Sequence, residues 1–186
     1  MRIISGTFRG KKIIQPKDFK TRPLKDLVKE SIFNILEHSN KFDINLDISN
    51  ILDIFSGVGS FGLECLSRGV KQVTFIENYK EAITILKKNL SNLKTIKNSK
   101  IIEGNAYDKN LFYTLTDKYD LVFLDPPYKD ENLNLILKNI NSAKILKKGG
   151  ILVIHRHKNS KDIIPEYFEI VEEKKYGISK VIFLLS

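Results

Sequence analysis

The residues best placed to do chemistry are Asp125-Pro126-Pro127-Tyr128, which follow directly on the apolar run Leu121-Val122-Phe123-Leu124. Such a run, closed by residues that cannot continue a ladder, reads as the end of a buried strand. Pro126 and Pro127 have fixed φ and no N–H, so their carbonyls stand free in a stiff, extended turn. An acidic acceptor before that turn and an aromatic ring after it suit a flat, amino-bearing ring, held by its N–H groups and by its face. Three other apolar runs end in polar or glycine signals. These are Asp53 with Phe55-Ser56-Gly57-Val58-Gly59-Ser60-Phe61-Gly62, then Glu77-Asn78, then Gly104-Asn105-Ala106-Tyr107-Asp108.

Gly57, Gly59 and Gly62 have G-x-G-x-x-G spacing with Glu77 twenty residues beyond the first, so a dinucleotide site has to be weighed. Asp53 argues against it, because a carboxylate just before the glycines would repel a pyrophosphate in a partly dry pocket. S-adenosylmethionine carries an ammonium and a sulfonium and no phosphate, and the same carboxylate favours it. In that reading Glu77, with Asn78 beside it, accepts the ribose hydroxyls. The loop from Phe55 through Gly57 and Gly59 lets backbone approach the methionine part, and Asn105-Ala106 contacts the adenine edge. Singly, each signal has a plain structural origin in a tight strand–helix turn or a helix cap. Four of them at the ends of one sheet are harder to explain that way.

An exocyclic purine amine is a poor nucleophile because its lone pair is delocalised into the ring. With its two hydrogens accepted by the Asp125 carboxylate and the Pro126 carbonyl, the lone pair is turned toward a methyl donor while Tyr128 stacks on the base. Neither a covalent intermediate nor a metal is required. A base within folded nucleic acid must first be unstacked into the pocket.

The elements that would position these residues alternate. Strands are expected over 50–55, 72–76, 100–103, 119–124 and 150–155, with helices over 61–67, 79–92, 109–115 and 131–141 between them. This pattern predicts right-handed crossovers and a mostly parallel, Rossmann-like sheet with helices on both faces. Segments 168–173 and 178–185, joined at Tyr176-Gly177, read as a hairpin that sets an antiparallel strand into the sheet. Ahead of all this, Ile3-Ile4 and Ile13-Ile14 read as the strands of a basic hairpin whose loop holds Thr7, Phe8 and Arg9. Pro23 is expected to open a helix to His38, with Leu24, Leu27, Val28, Ser31, Ile32, Ile35 and Leu36 as its apolar stripe and Lys25 and Lys29 pointing away.

A chain of 186 residues is most economically one compact unit. Within it we expect an N-terminal extension over 1–41 and a catalytic domain over 42–186. No apolar run reaches the roughly 20 residues of a membrane span, and no secretory signal pattern opens the chain, so a cytoplasmic monomer is expected. Cys65 is the single cysteine and reads as a buried apolar side chain; three scattered histidines give no metal cluster. The net charge is +9, and residues 1–41 hold ten Lys or Arg against four Asp or Glu, so most of the excess lies there. That concentration suggests a polyanionic partner bound through Arg2, Arg9, Lys11, Lys12 and Arg22.

Taken together these residues resemble the class I methyltransferases, and within them the RsmD family of bacterial 16S ribosomal RNA guanine-N2 methyltransferases. The resemblance runs along nearly the whole chain. It is carried by Arg2-Ile3-Ile4-Ser5-Gly6 with Arg9-Gly10, Arg22-Pro23, Glu30 with Phe33-Asn34, and Leu52-Asp53-Ile54-Phe55-Ser56-Gly57. It continues with Gly62-Leu63-Glu64, Ser67-Arg68-Gly69, Glu77, Asp125 to Tyr128 and Lys175-Tyr176-Gly177. Such a resemblance implies a class I methyltransferase fold with a seven-stranded sheet, S-adenosylmethionine as donor and S-adenosylhomocysteine as product. It also implies methylation of one guanine N2 in 16S rRNA, within an assembled or assembling 30S particle. Leu24 stands where the family tends to have Thr, Asn105 where Asp is usual, and His155 where an acidic residue is common, and we assign His155 no role. The Pro-Pro-Tyr turn is shared with enzymes that methylate amines of DNA adenine, RNA and protein glutamine. An adenine-N6 methyltransferase of DNA or RNA is therefore one alternative, and a catalytically silent RNA-binding assembly factor another.

Overall fold

The computed structural model describes residues 1–16 and 24–186. Helix α1 (Asp26–His38) precedes β1 (Asn50–Ile54), α2 (Ser60–Ser67), β2 (Gln72–Glu77), α3 (Lys80–Asn92), β3 (Ser99–Glu103), α4 (Lys109–Tyr113) and β4 (Tyr119–Leu124). Then come α5 (Leu133–Ser142), β5 (Leu146–His157), β6 (Glu169–Tyr176) and β7 (Ser179–Leu185). The seven strands lie in the order β3-β2-β1-β4-β5-β7-β6, parallel from β3 to β5, with β7 antiparallel to both its neighbours. The chain works outward from β1 to β3 and returns beside β1 as β4. The crevice where strand order reverses therefore lies between the carboxyl ends of β1 and β4.

Strand alternation assigns the two faces. Ile51, Phe75, Leu121, Phe123, Val153 and Phe183 face a core shared with α1, α2 and α3. Leu52, Ile54, Val122, Leu124, Ile154 and Leu184 face α4 and α5. Both faces are buried, which is why the central strands read as continuous apolar runs. On the first face Phe33, Phe61 and Phe123 stack in a column, with centroids 5.3 and 4.0 Å apart.

The N-terminal extension differs most from its expected form. The expected hairpin is reduced to one antiparallel bridge, Arg2 to Lys12, with Ile3 N–H on the Lys11 carbonyl and Ile13 N–H on the Met1 carbonyl either side of it, around a loop. The reason lies in where its donors go. The N–H groups of Ile4 and Ser5 bond the Glu64 carboxylate of α2 at 2.8 and 2.9 Å. Phe8 N–H bonds Ser67 Oγ, and Thr7 N–H bonds the Ser67 carbonyl. Gly6 has φ +78° and lies so close to α2 that a Cβ there would come within 1.8 Å of the Ser67 oxygen, so no other residue fits. Segment 13–14 is fixed from α3, where Asn89 accepts from Ile14 N–H and donates to the Ile14 and Val58 carbonyls.

Two expectations for α1 are overturned. Leu27 is 67% exposed and Lys29 is 0% exposed. Lys29 Nζ reaches the Arg2 carbonyl at 2.8 Å and Glu64 at 3.2 Å, while Arg68 pairs with Glu64 and Glu37. Burial pulls the Lys29 ammonium below its ordinary value, and the Glu64 carboxylate opposes that shift. Polar demand at the docked extension thus outweighs the apolar stripe. Pro23, expected to open α1, lies outside the described residues. Strand β5 begins earlier than expected, at Leu146, because Leu146 pairs with Tyr119 ahead of an irregularity that leaves residues 147–150 out of register before Ile151 pairs with Leu121.

Candidate active site

A cavity of about 480 Å³ opens at the strand-order reversal. Its walls come from Asp53, Phe55, Ser56, Gly57, Val58 and Ser60 after β1, from Glu77 and Asn78 after β2, and from Asp125, Pro126, Pro127 and Tyr128 after β4. The N-terminal extension closes it with Met1, Gln15 and Leu24. Tyr107 and His155 also line it, with Phe61, Tyr79 and Phe123. The glycine loop and the Pro-Pro turn, 66 residues apart between Gly59 and Asp125, thus share one space.

Glu77 sits at the end of β2 with one carboxylate oxygen accepting from Gly57 N–H at 2.7 Å and the other from Asn78 and Tyr79 N–H at 2.9 Å each. Three of about four acceptor positions are therefore taken by backbone. The contact to Gly57 also holds the loop after β1 in place, where Phe55 (φ 61°) and Gly57 (φ 55°) both adopt left-handed backbone. A left-handed Phe is uncommon and costs energy. Gly59 does not line the cavity: at φ +89° it begins α2, and a Cβ there would press on Leu86 at 2.5 Å.

Asp53 lies at the cavity floor, 1% exposed, and accepts from Gly62 N–H in the first turn of α2 at 3.0 Å. Burial pushes its carboxyl well above the usual range, and Asp125 and Glu77 add to the rise. Ser56 Oγ and Ser60 Oγ, on the same wall, are buried with no hydrogen-bond partner among the described residues. Unpartnered hydroxyls beside carboxylates in a cavity of this size fit a ligand with both cationic and hydrogen-bonding groups.

Asn105 and Ala106 are not on the wall. The Asn105 side chain accepts from Tyr107 N–H at 3.0 Å and shapes its own turn, and Ala106 is buried against the second core. Tyr107 is the residue of that loop that reaches the cavity, its ring 5.6 Å from Phe55. Burial and the hydrogen bond to Asp130 raise its phenol above the ordinary value.

Around Asp125 the structure adds residues that sequence reasoning missed. His155, given no role from sequence, is 4% exposed, and its Nδ1 lies 2.8 Å from Asp125 Oδ1. Tyr128 OH is 2.7 Å from Ser179 Oγ. Arg156, the next residue of β5, donates to the Pro127 and Asp130 carbonyls and pairs with Asp162. The signal was present in the pairing: Leu124 sits opposite Ile154, so the residues one step on are Asp125 and His155. No hydrogen bond among the described residues falls on the Pro126 carbonyl.

On the exterior, Arg9, Lys11 and Lys12 are exposed, with Lys11 Nζ 5.4 Å from the Phe8 ring centroid. Arg2 pairs with Asp26 at 3.4 Å, and Arg22 lies outside the described residues. Cys65 is fully buried on α2, its thiol pushed up by burial. No helix among the described residues is long and apolar enough to cross a membrane.

The model of a family described as conserved hypothetical protein 95 matches residues 1–185. The chain belongs to that family, the RsmD family. Ribosomal RNA small subunit methyltransferase D of Haemophilus influenzae is 34% identical over 96% of this chain and 90% of its own length. The Escherichia coli protein of the same name is 31% identical over 95% of this chain and 85% of its own. Among solved structures, the Escherichia coli protein yhhF superposes with a TM-score of 0.81 at 28% identity, covering 100% of this chain and 97% of that one. The family shares the class I methyltransferase fold found here, with its mixed seven-stranded sheet.

Proposed function

We propose that the chain transfers a methyl group from S-adenosylmethionine to the exocyclic N2 of a guanine in 16S rRNA. The observation that carries this reading is that Asp125 to Tyr128 and the set Asp53, Phe55, Gly57, Glu77 and Asn78 line one cavity. One group of residues suits a methyl donor and the other suits an amine. The names of the relatives support ribosomal RNA as the polymer.

When bound, S-adenosylmethionine supplies a methyl group on a sulfonium centre. Glu77 has one acceptor position left for a ribose hydroxyl. The Ser56 and Ser60 hydroxyls offer hydrogen bonds to the amino-acid part, and the Asp53 carboxylate favours its ammonium. Tyr107, rather than Asn105 or Ala106, is the residue of its loop in position to cover the adenine. On the other side, the Pro126 carbonyl and the Asp125 carboxylate accept the two N–H hydrogens of the base, so the nitrogen lone pair faces the methyl group. As the N–C bond formed, the donor's S–CH3 bond would break with its electron pair staying on sulfur, leaving S-adenosylhomocysteine; one N–H proton would then leave the amine, and Asp125 is the acceptor in reach. Catalysis by positioning alone supplies several kcal/mol when the reacting atoms are held in contact.

Arg2, Arg9, Lys11, Lys12 and Arg22 are proposed to hold rRNA phosphates, in a cytoplasmic particle that contains the 30S components. The extension supports this, because its ends line the cavity through Met1, Gln15 and Leu24 while its basic loop docks at the far end of α2, on Ser67. The test is incubation with labelled S-adenosylmethionine and, separately, 30S particles, naked rRNA and duplex DNA, followed by nucleoside analysis. Label in N2-methylguanosine of rRNA is expected. Label in DNA adenine alone would overturn the proposal.

A further inference from the structure

Asp125 has two oxygens, and the proposed chemistry needs one of them turned to the cavity. Its carboxylate is 21% exposed, and Oδ1 is taken by His155 Nδ1 at 2.8 Å. The turn that carries Asp125 does not need His155 for its backbone. Arg156 holds the Pro127 carbonyl at 3.1 Å as well as the Asp130 carbonyl, and Asp125 N–H bonds the Ile54 carbonyl at 3.3 Å. Nor does Tyr128 depend on it. The Tyr128 hydroxyl has Ser179 Oγ at 2.7 Å and His155 Nε2 only at 3.4 Å. Among the described residues, the one short hydrogen bond of this buried imidazole is therefore with the carboxylate itself.

We propose that His155 is a positioning residue for Asp125: its imidazole, protonated on Nδ1, donates to Oδ1 and fixes the rotamer that presents Oδ2 to the substrate amine. This rests on the reading of Asp125 given above. A carboxylate only accepts, so the proton of this contact belongs to the ring. Because neighbouring residues of a strand point to opposite sides, His155 and Arg156 divide the work. One fixes the side chain of Asp125 and the other the backbone that follows it.

Two measurements decide it. In methyl-transfer kinetics on 30S particles, His155→Leu is expected to lower kcat by about ten- to a hundred-fold, as small misplacements of reacting groups do, with little change in KM for the donor. His155→Asn, whose amide N–H can stand near the Nδ1 position, is expected to recover most of that loss. Equal losses in the two variants, or a loss confined to KM, would overturn the inference. In protein labelled with 15N-histidine, the His155 resonances are expected to show a proton on Nδ1, and Asp125→Ala to shift it toward Nε2. A wild-type ring protonated on Nε2 alone also overturns it. Wild-type protein that methylates none of the substrates would sink the reading of the reaction, while the spectrum would still decide the contact.

Discussion

Two carboxylates stand on opposite sides of the cavity and are held in opposite ways. Glu77 is fixed by three backbone N–H groups, from Gly57, Asn78 and Tyr79. Asp125 is fixed by a side chain, His155. Backbone donors are set by the turn itself and survive most side-chain changes, so the donor side of the cavity is rigid by construction. The acceptor side rests on an imidazole that a single substitution removes. The difference places precision where binding is needed and adjustability where a base must be brought in and released.

The largest expected effect separates the two sides. Asp125→Ala should lower turnover by about a thousand-fold or more, equivalent to about 4 kcal/mol, while leaving S-adenosylhomocysteine affinity nearly unchanged. Glu77→Ala should do the reverse and raise the donor Kd by about ten- to a hundred-fold, leaving three N–H groups unpaired at a cost of about 1–3 kcal/mol in stability. Turnover assays with calorimetric titration of each variant measure both. If Asp125→Ala kept wild-type turnover, or Glu77→Ala kept wild-type affinity, the division of labour would be wrong.

Sequence and structure divide along the same line. The strand ends that meet at the cavity were legible because they follow plain apolar runs, although Gly59, Asn105 and Ala106 lie off its wall. Glu77 falls just after Gln72 to Ile76, and Asp125 just after Tyr119 to Leu124. The supports were not legible, because they depend on which distant residues meet. Lys29 read as solvent-facing, since periodicity sees its place on α1 and not the Glu64 carboxylate that docking brings beneath it. The extension read as two full strands because the apolar pairs Ile3-Ile4 and Ile13-Ile14 flank a loop bounded by Gly6 and Gly10, whereas the Ile4 and Ser5 donors find Glu64 instead of a partner strand. His155 looked like a departure from the family pattern until strand register set it beside Asp125.

A smaller effect tests whether the N-terminal loop belongs to the acceptor side. Replacing Arg9, Lys11 and Lys12 with Ala should leave donor affinity untouched and flatten the salt dependence of rRNA binding, by about one unit of slope for each phosphate that is no longer neutralised. Binding titrations over a range of salt concentrations measure it. An unchanged slope would move the RNA surface elsewhere and leave Met1, Gln15 and Leu24 as wall residues only.

The smallest expected effect probes the donor side through Asp53. Burial, with Asp125 and Glu77 nearby, holds its carboxyl well above the ordinary value. A cation placed beside it favours the ionised form, so binding S-adenosylmethionine should release a proton. In the window between the ordinary carboxyl value and the raised one, the donor Kd should therefore fall as pH rises, by at most about tenfold per pH unit for a single proton. The same shift has the opposite consequence for folding. A carboxyl whose folded value lies above its unfolded value contributes its full stability at acid pH and loses it as pH rises through that window. Calorimetric titrations in two buffers of different ionisation enthalpy count the proton directly, and Asp53→Asn should remove it. No release from the wild type within that window would mean that Asp53 serves only to hold Gly62 at the start of α2, and that the cationic end of the donor lies elsewhere on the wall.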